Sequence, residues 1–179
     1  ERVPEYVLCV STNTPSQHVA YSGSALPAYL YGDAAAAIVI SLRHPGKFKV
    51  VDSYIERRGF LKPSSEVGRH VSFAAEALLA ADENVGMLRQ GLSRSAAHGG
   101  YRAVVAPQIC SGEFPLYEKA LGLVHDSLVS GISSAGYSLG ASYGVALSSL
   151  WGSIRSGEQV AVLHAGDGMV SGSILLASE

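Results

Sequence analysis

Cysteine is scarce in this chain: Cys9 and Cys110 are its only two, and no paired spacing accompanies them. That argues against both a disulfide framework and a cysteine-based zinc site. Charge is scarce too, at 16% of residues with a net of -2 and no basic cluster, which argues against a nucleic-acid partner. The longest strongly apolar run, Ala34 to Leu42, is too short to cross a bilayer, so no membrane association is expected. No signal peptide or targeting motif is visible, and the expected compartment is the cytoplasm. His18, His44, His70, His98, His125 and His164 show no H-x-x-x-H or paired-carboxylate spacing, so neither a metal nor another cofactor is expected.

Apolar residues, in contrast, make up 47% of the chain, which disfavours disorder and fits an α/β protein with a buried sheet. At 179 residues one compact domain is the natural expectation. The chain opens on Glu1, not Met, and enters a strand within a few residues, so further residues are expected upstream.

Tyr6 to Ser11, bounded by Thr12-Asn13-Thr14-Pro15, predicts a buried strand with Cys9 in the core. Ser16 to Ser24 reads as a loop. In Ala34 to Ser41 small residues give way to Ile38, Val39 and Ile40, which favours a central strand with a close backbone approach. Asp33, just before it, is expected to accept hydrogen bonds from turn amides, the alternative being a catalytic role. Lys47 to Glu56 predicts a strand exposed on one side. Glu66 to His98 is the longest helical stretch, with Val71, Ala75, Leu78 and Leu79 on one stripe and Val85, Leu88 and Leu92 continuing it. Asp82-Glu83-Asn84 within it marks either a break or a solvated side. Ala103 to Ala106 is a brief strand, Ser111 caps a helix through Leu121, and Leu128 to Ile132 is another strand.

The most organised stretch is Ser134 to Leu175. An Ala135-Gly136-Tyr137 turn leads into a helix whose Tyr143, Leu147, Leu150, Trp151 and Ile154 fall on one face, with Arg155-Ser156-Gly157 as its stop. Strands Gln159 to His164 and Ser171 to Ala177 follow. The Ala165-Gly166-Asp167-Gly168 loop between them is too short for a crossover, so the two should be antiparallel neighbours.

This turn, helix, strand, glycine loop and strand resemble the end of a condensing enzyme of the thiolase superfamily, most closely a ketoacyl synthase III. YGDAAAAIVIS likewise resembles the family strand that begins Phe-Gly-Asp-Gly-Ala. The resemblance implies an α/β, thiolase-like fold: a mixed sheet with helices packed on both faces. Residues 1–46 would be the last strands of the first αβαβα repeat, and residues 47–179 the complete second repeat. It implies an acyl carrier protein or coenzyme A thioester as partner, and a homo- or heterodimer with a ketosynthase-like subunit. A missing N-terminal half would hold the family's nucleophilic Cys.

The family's remaining chemistry rests on a His in a Pro-His-Gln-Ala-Asn phrase and an Asn in the turn. At those positions this chain has Pro107, within Ala106-Pro107-Gln108-Ile109-Cys110, and Tyr137. The residues implied to bind substrate are Gln108, Tyr137, Gly166, Asp167 and Gly168. Tyr137 either plugs the former substrate tunnel or offers its hydroxyl. His164, beside the glycine loop, is either a general base or a histidine satisfied by a backbone carbonyl; Cys110 is either a nucleophile or a small packed residue. Arg57-Arg58 could meet the phosphates of a carrier arm, or simply end a strand. Three functions follow: a catalytically degenerate partner of an active ketosynthase or acyltransferase subunit, a divergent acyltransferase using an upstream Cys to acylate an alcohol or amine, and a module that binds an acyl chain or carrier protein.

Overall fold

A computed structural model describes residues 4–17, 31–57, 82–96, 100–106, 114–124, 126–138, 140–166 and 170–179. In chain order its elements are β1 (Tyr6–Asn13), β2 (Ala34–Ser41), β3 (Phe48–Arg57), α1 (Asp82–Ala96), β4 (Ala103–Val105), α2 (Phe114–Leu121), β5 (Leu128–Val129), α3 (Ile132–Ala135), α4 (Ala141–Leu150), β6 (Gln159–Gly166) and β7 (Val170–Ser178). A single 3-10 turn, Pro15–Gln17, follows β1. Glu66 to Ala81 of the expected long helix and the Ser111 cap lie outside the described residues.

Five strands form a mixed sheet in the order β3-β7-β6-β4-β5. The alternation of strand and helix gives parallel pairs β4–β5 and β4–β6, and the short β6–β7 connection gives the expected antiparallel pair, with Val162 opposite Ile174. The antiparallel β3 closes the edge beyond β7, with a bulge between Val50 and Asp52. Side chains alternate across the sheet. On one face Leu163, Ala161 and Leu175 pack with Leu88 and Leu92 of α1 and Tyr117 of α2. On the other, Val105 and Val160 pack with Ala146 and Leu147 of α4 and with Ile154. Helices on both faces of a mixed sheet make this an α/β fold, as the resemblance implied.

β1 and β2 form a separate antiparallel ribbon, with Cys9 opposite Ile38. α4 lies between ribbon and sheet, touching β1, β2 and β4. Its contact with β2 depends on two small residues, since a Cβ on Gly144 would lie 2.1 Å from that of Ala36. The close approach expected of the alanine run is therefore real.

Four expectations are corrected. β2 was expected to be a central strand, yet among the described residues it pairs with β1 alone, and Ile38, Val39 and Ile40 are exposed, so both strands of the ribbon are edges. β1 was expected to be buried, yet Leu8 is 64% exposed and Cys9 is also exposed, because α4 covers only part of the ribbon. β5 ends at Val129, and Ile132 begins the one-turn helix α3 instead; Gly131 is held so close to Val145 that a Cβ would lie 2.8 Å from its Cγ1. α4 ends at Leu150, short of Arg155: the amides of Trp151 and Ser153 turn back to the carbonyls of Ser148 and Leu150, tightening the chain before Gly152 can extend the helix. Ile154 still reaches the core from that turn, whereas Trp151 is half-exposed with Phe48 against its edge.

Candidate functional site

Two glycine-bearing motifs about a hundred residues apart in sequence interlock at one end of α4. Tyr31 and Tyr137 pair as an isolated parallel bridge, and the Gly32 amide donates to the Tyr137 carbonyl at 3.3 Å. Neither glycine has room for a side chain. A Cβ on Gly32 would sit 1.8 Å from the Ala135 oxygen, and Gly136 adopts φ +65 with the Gly32 nitrogen 2.7 Å from its own Cβ position. This fit carries Tyr137 inward. Its side chain is buried, with its ring tilted against that of Tyr31 at 5.7 Å between centroids.

The start of α4 is held by polar groups from both sides. Gly140, its N-cap residue, has no side chain to cap with. Asn13 at the end of β1 caps it instead, its Oδ1 accepting the Ala141 amide at 3.1 Å. Within the turn, buried Ser142 accepts the Ser138 amide at 2.9 Å, and the two hydroxyls are 3.1 Å apart. Asp33 closes the outer side: it accepts both the amide and the hydroxyl of Ser16, as a turn-binding carboxylate should. Those Ser16 hydrogen bonds, side chain first, hold its carboxyl below the ordinary carboxylate value.

One turn into α4, Tyr143 faces β6, and its hydroxyl lies 2.5 Å from Nδ1 of His164. Burial, with a smaller contribution from the nearby Tyr137, pushes the Tyr143 phenol above its usual range. Burial likewise lowers His164. His164 is thus satisfied by a side-chain hydroxyl, a partner that the sequence did not reveal. The signal was available: a tyrosine on an otherwise apolar helix face needs a partner for its hydroxyl. Asn13 was passed over in the same way, as part of a loop boundary.

The geometry brings Tyr137, Tyr143 and His164 together, with Gly166 two residues beyond His164 at the end of β6. Pro107, Gln108, Cys110, Asp167 and Gly168 lie outside the described residues, as does Arg58. Among the described residues no helix is long and apolar enough to cross a membrane.

No family profile matches the chain, and no curated protein matches its sequence. Solved structures do match. 3-Oxoacyl-(acyl carrier protein) synthase III, FabH, from Pseudomonas aeruginosa PAO1 superposes with a TM-score of 0.78 at 20% identity, over 97% of this chain and 58% of that one. The fold is that of the ketoacyl synthase III enzymes. The 3-oxoacyl-[acyl-carrier-protein] synthase III of Aquifex aeolicus VF5 gives a TM-score of 0.77 at 18% identity, again over 97% and 58%. Xanthomonas campestris OleA, in structures with bound lauric acid and lauroyl-CoA, gives 0.71 at 18% identity over the same shares. This chain therefore spans somewhat over half the length of the ketoacyl synthase III-like structures it resembles.

Proposed function

We propose that the chain is the C-terminal part of a ketoacyl synthase III-like protein that handles acyl thioesters of coenzyme A or an acyl carrier protein but has given up decarboxylative condensation. In this reading residues 1–46 complete an N-terminal repeat and residues 47–179 form the C-terminal one. The chain acts as the non-catalytic partner in a ketosynthase or acyltransferase dimer.

The observation that carries the reading is the packing of Tyr137. At the position where the resemblance puts a carboxamide, a phenol is buried against Tyr31 and held by a turn that leaves no slack. An asparagine there would supply an N–H donor to a thioester carbonyl as the enolate forms. A buried tyrosine is larger and fills that space. Pro107, at the corresponding histidine position, has no side-chain hydrogen-bonding group at all. Asp167, in the glycine loop, would bring a negative charge toward a developing oxyanion. The reading as a C-terminal part draws support from the ribbon, whose exposed Tyr6, Leu8, Val10 and Val39 form an apolar surface suited to cover by an N-terminal repeat.

The test is incubation of the intact protein with malonyl-CoA and acetyl-CoA. No carbon dioxide release above the uncatalysed rate, and no condensed thioester, is the expected result. Condensation by the wild-type protein, with the product identified by mass spectrometry, would overturn the reading.

A further inference from the structure

β3 is the edge of the five-stranded sheet: it pairs with β7 on one side, and among the described residues no strand pairs with it on the other. A strand edge of this kind offers backbone N–H and C=O groups to a further strand. The register on β7 sets the face of each side chain. Val50, Ser53 and Ile55 lie opposite Leu176, Ile174 and Gly172, on the face that α4 covers. Lys49, Asp52, Tyr54 and Glu56 lie opposite Ala177, Leu175, Ser173 and Ser171, on the face of α1. The bulge takes Val51 out of this alternation, so Val51 and Asp52 together fill one position. Counted that way, β3 is self-complementary about Ser53: Asp52 and Tyr54 each lie one position away, Val50 and Ile55 each two, and Lys49 and Glu56 each three.

We propose that the outer edge of β3 binds the same edge of a second copy of this chain, antiparallel, with Ser53 opposite Ser53 on a two-fold axis. The two five-stranded sheets then join into one continuous sheet. Pairing about that axis sets Val50 opposite Ile55 and Lys49 opposite Glu56, each twice, with both members of a pair on one face. The apolar pair is open to solvent in the single chain, Ile55 by 79% and Val50 by 54%. The charged pair is matched in sign. Lys49 is exposed, and the Glu56 carboxylate, which accepts the Tyr54 hydroxyl, is a group able to accept several hydrogen bonds at once. A bulge and a lysine on an edge strand often keep other strands away. Here the bulge creates the symmetry of the edge, and the second copy meets the lysine with a carboxylate. This surface lies apart from the β1–β2 ribbon, and the proposal does not depend on the thioester reading.

Cysteine cross-linking and sedimentation of the intact protein, with Cys9→Ser and Cys110→Ser as background, test it. Ser53→Cys should give a disulfide-linked dimer on mild oxidation, because directly opposed residues of antiparallel strands have Cα atoms within disulfide range. Val50→Cys and Ile55→Cys should link to each other when the two variants are mixed, and neither should link to itself to a similar yield. In sedimentation, Lys49→Glu should weaken self-association about tenfold, since two attractive pairs become repulsive, and adding Glu56→Lys should restore it. No linked dimer from Ser53→Cys, or links that ignore this register, overturn the proposal. Self-association that Lys49→Glu leaves unchanged, or that the double reversal fails to restore, overturns it as well. Should the variant with Glu56→Lys fail to fold, the mixture of Val50→Cys with Ile55→Cys decides alone.

Discussion

The five-stranded sheet and the β1–β2 ribbon are built from similar residues but exist in different surroundings. Val104, Val105, Val160 and Leu175 of the sheet are fully buried, under α1 and α2 on one side and α4 on the other. In the ribbon Leu8 is 64% and Val39 63% exposed, although both are as apolar as their counterparts. The sheet is stabilised by its own core. The ribbon is attached mainly through α4, by the Gly144–Ala36 contact and the Asn13 cap, together with the Gly32–Tyr137 bond at the start of β2. Strand apolarity therefore marks two different things here: a core already made, and a surface that the proposed N-terminal repeat would cover.

Substitutions can break or sharpen that contrast. Leu163→Ala removes a side chain that touches both α1 and the sheet, and should cost about 2–5 kcal/mol in denaturant unfolding. A cost below about 1 kcal/mol would mean that the sheet is not the stable unit. Gly144→Val drives a side chain into Ala36 and should cost about 1–3 kcal/mol, with the ribbon detaching while sheet signals persist in NMR spectra. Asn13→Ala strips the cap from α4 and should cost about 1 kcal/mol. Leu8→Ser on the ribbon should change the stability of this chain by no more than about 0.5 kcal/mol. A larger loss would show that the ribbon already has a core of its own.

The smallest effect expected is on pH dependence. The folded value of His164 lies below its ordinary 6.5, so as pH falls the unfolded chain takes up this proton first. The stability due to this group is complete above about pH 6.5 and declines as pH drops below that value. His164→Gln should flatten that part of the curve, as read from denaturation midpoints across the range. Asp33, also lowered, acts in the same direction but only below its ordinary 3.8.

Where a strand or helix completes its own burial, the sequence made it legible. Ala103 to Val105 and Val160 to Leu163 are apolar runs that end at turns, and both are strands; the short loop expected after His164 correctly forecast the antiparallel β6–β7 pair, although Ala165 and Gly166, expected in that loop, belong to β6. Periodicity misled where apolar residues serve a turn. Trp151 and Ile154 continue the α4 stripe, yet the helix stops at Leu150 and only Ile154 becomes core. β1 was legible as a strand but not as an exposed one, because a run of side chains does not tell what covers it. The interlocking of Gly32 with Gly136 was not legible at all, and of the Tyr143–His164 hydrogen bond only the need for some partner was. Both depend on how α4 sits between the ribbon and the sheet, a relation between segments distant in the chain.

The central claim, that these residues are the C-terminal part of a two-repeat protein, is tested most directly by amide hydrogen exchange on the 179-residue chain and on the intact protein. In the chain by itself, the amides of Val7 to Val10 and Ile38 to Ile40 should exchange far faster than those of Val104 and of Val160 to Leu163. In the intact protein the two sets should approach the same protection. Ribbon amides as protected as the sheet in the 179-residue chain alone, and unchanged in the intact protein, would contradict it.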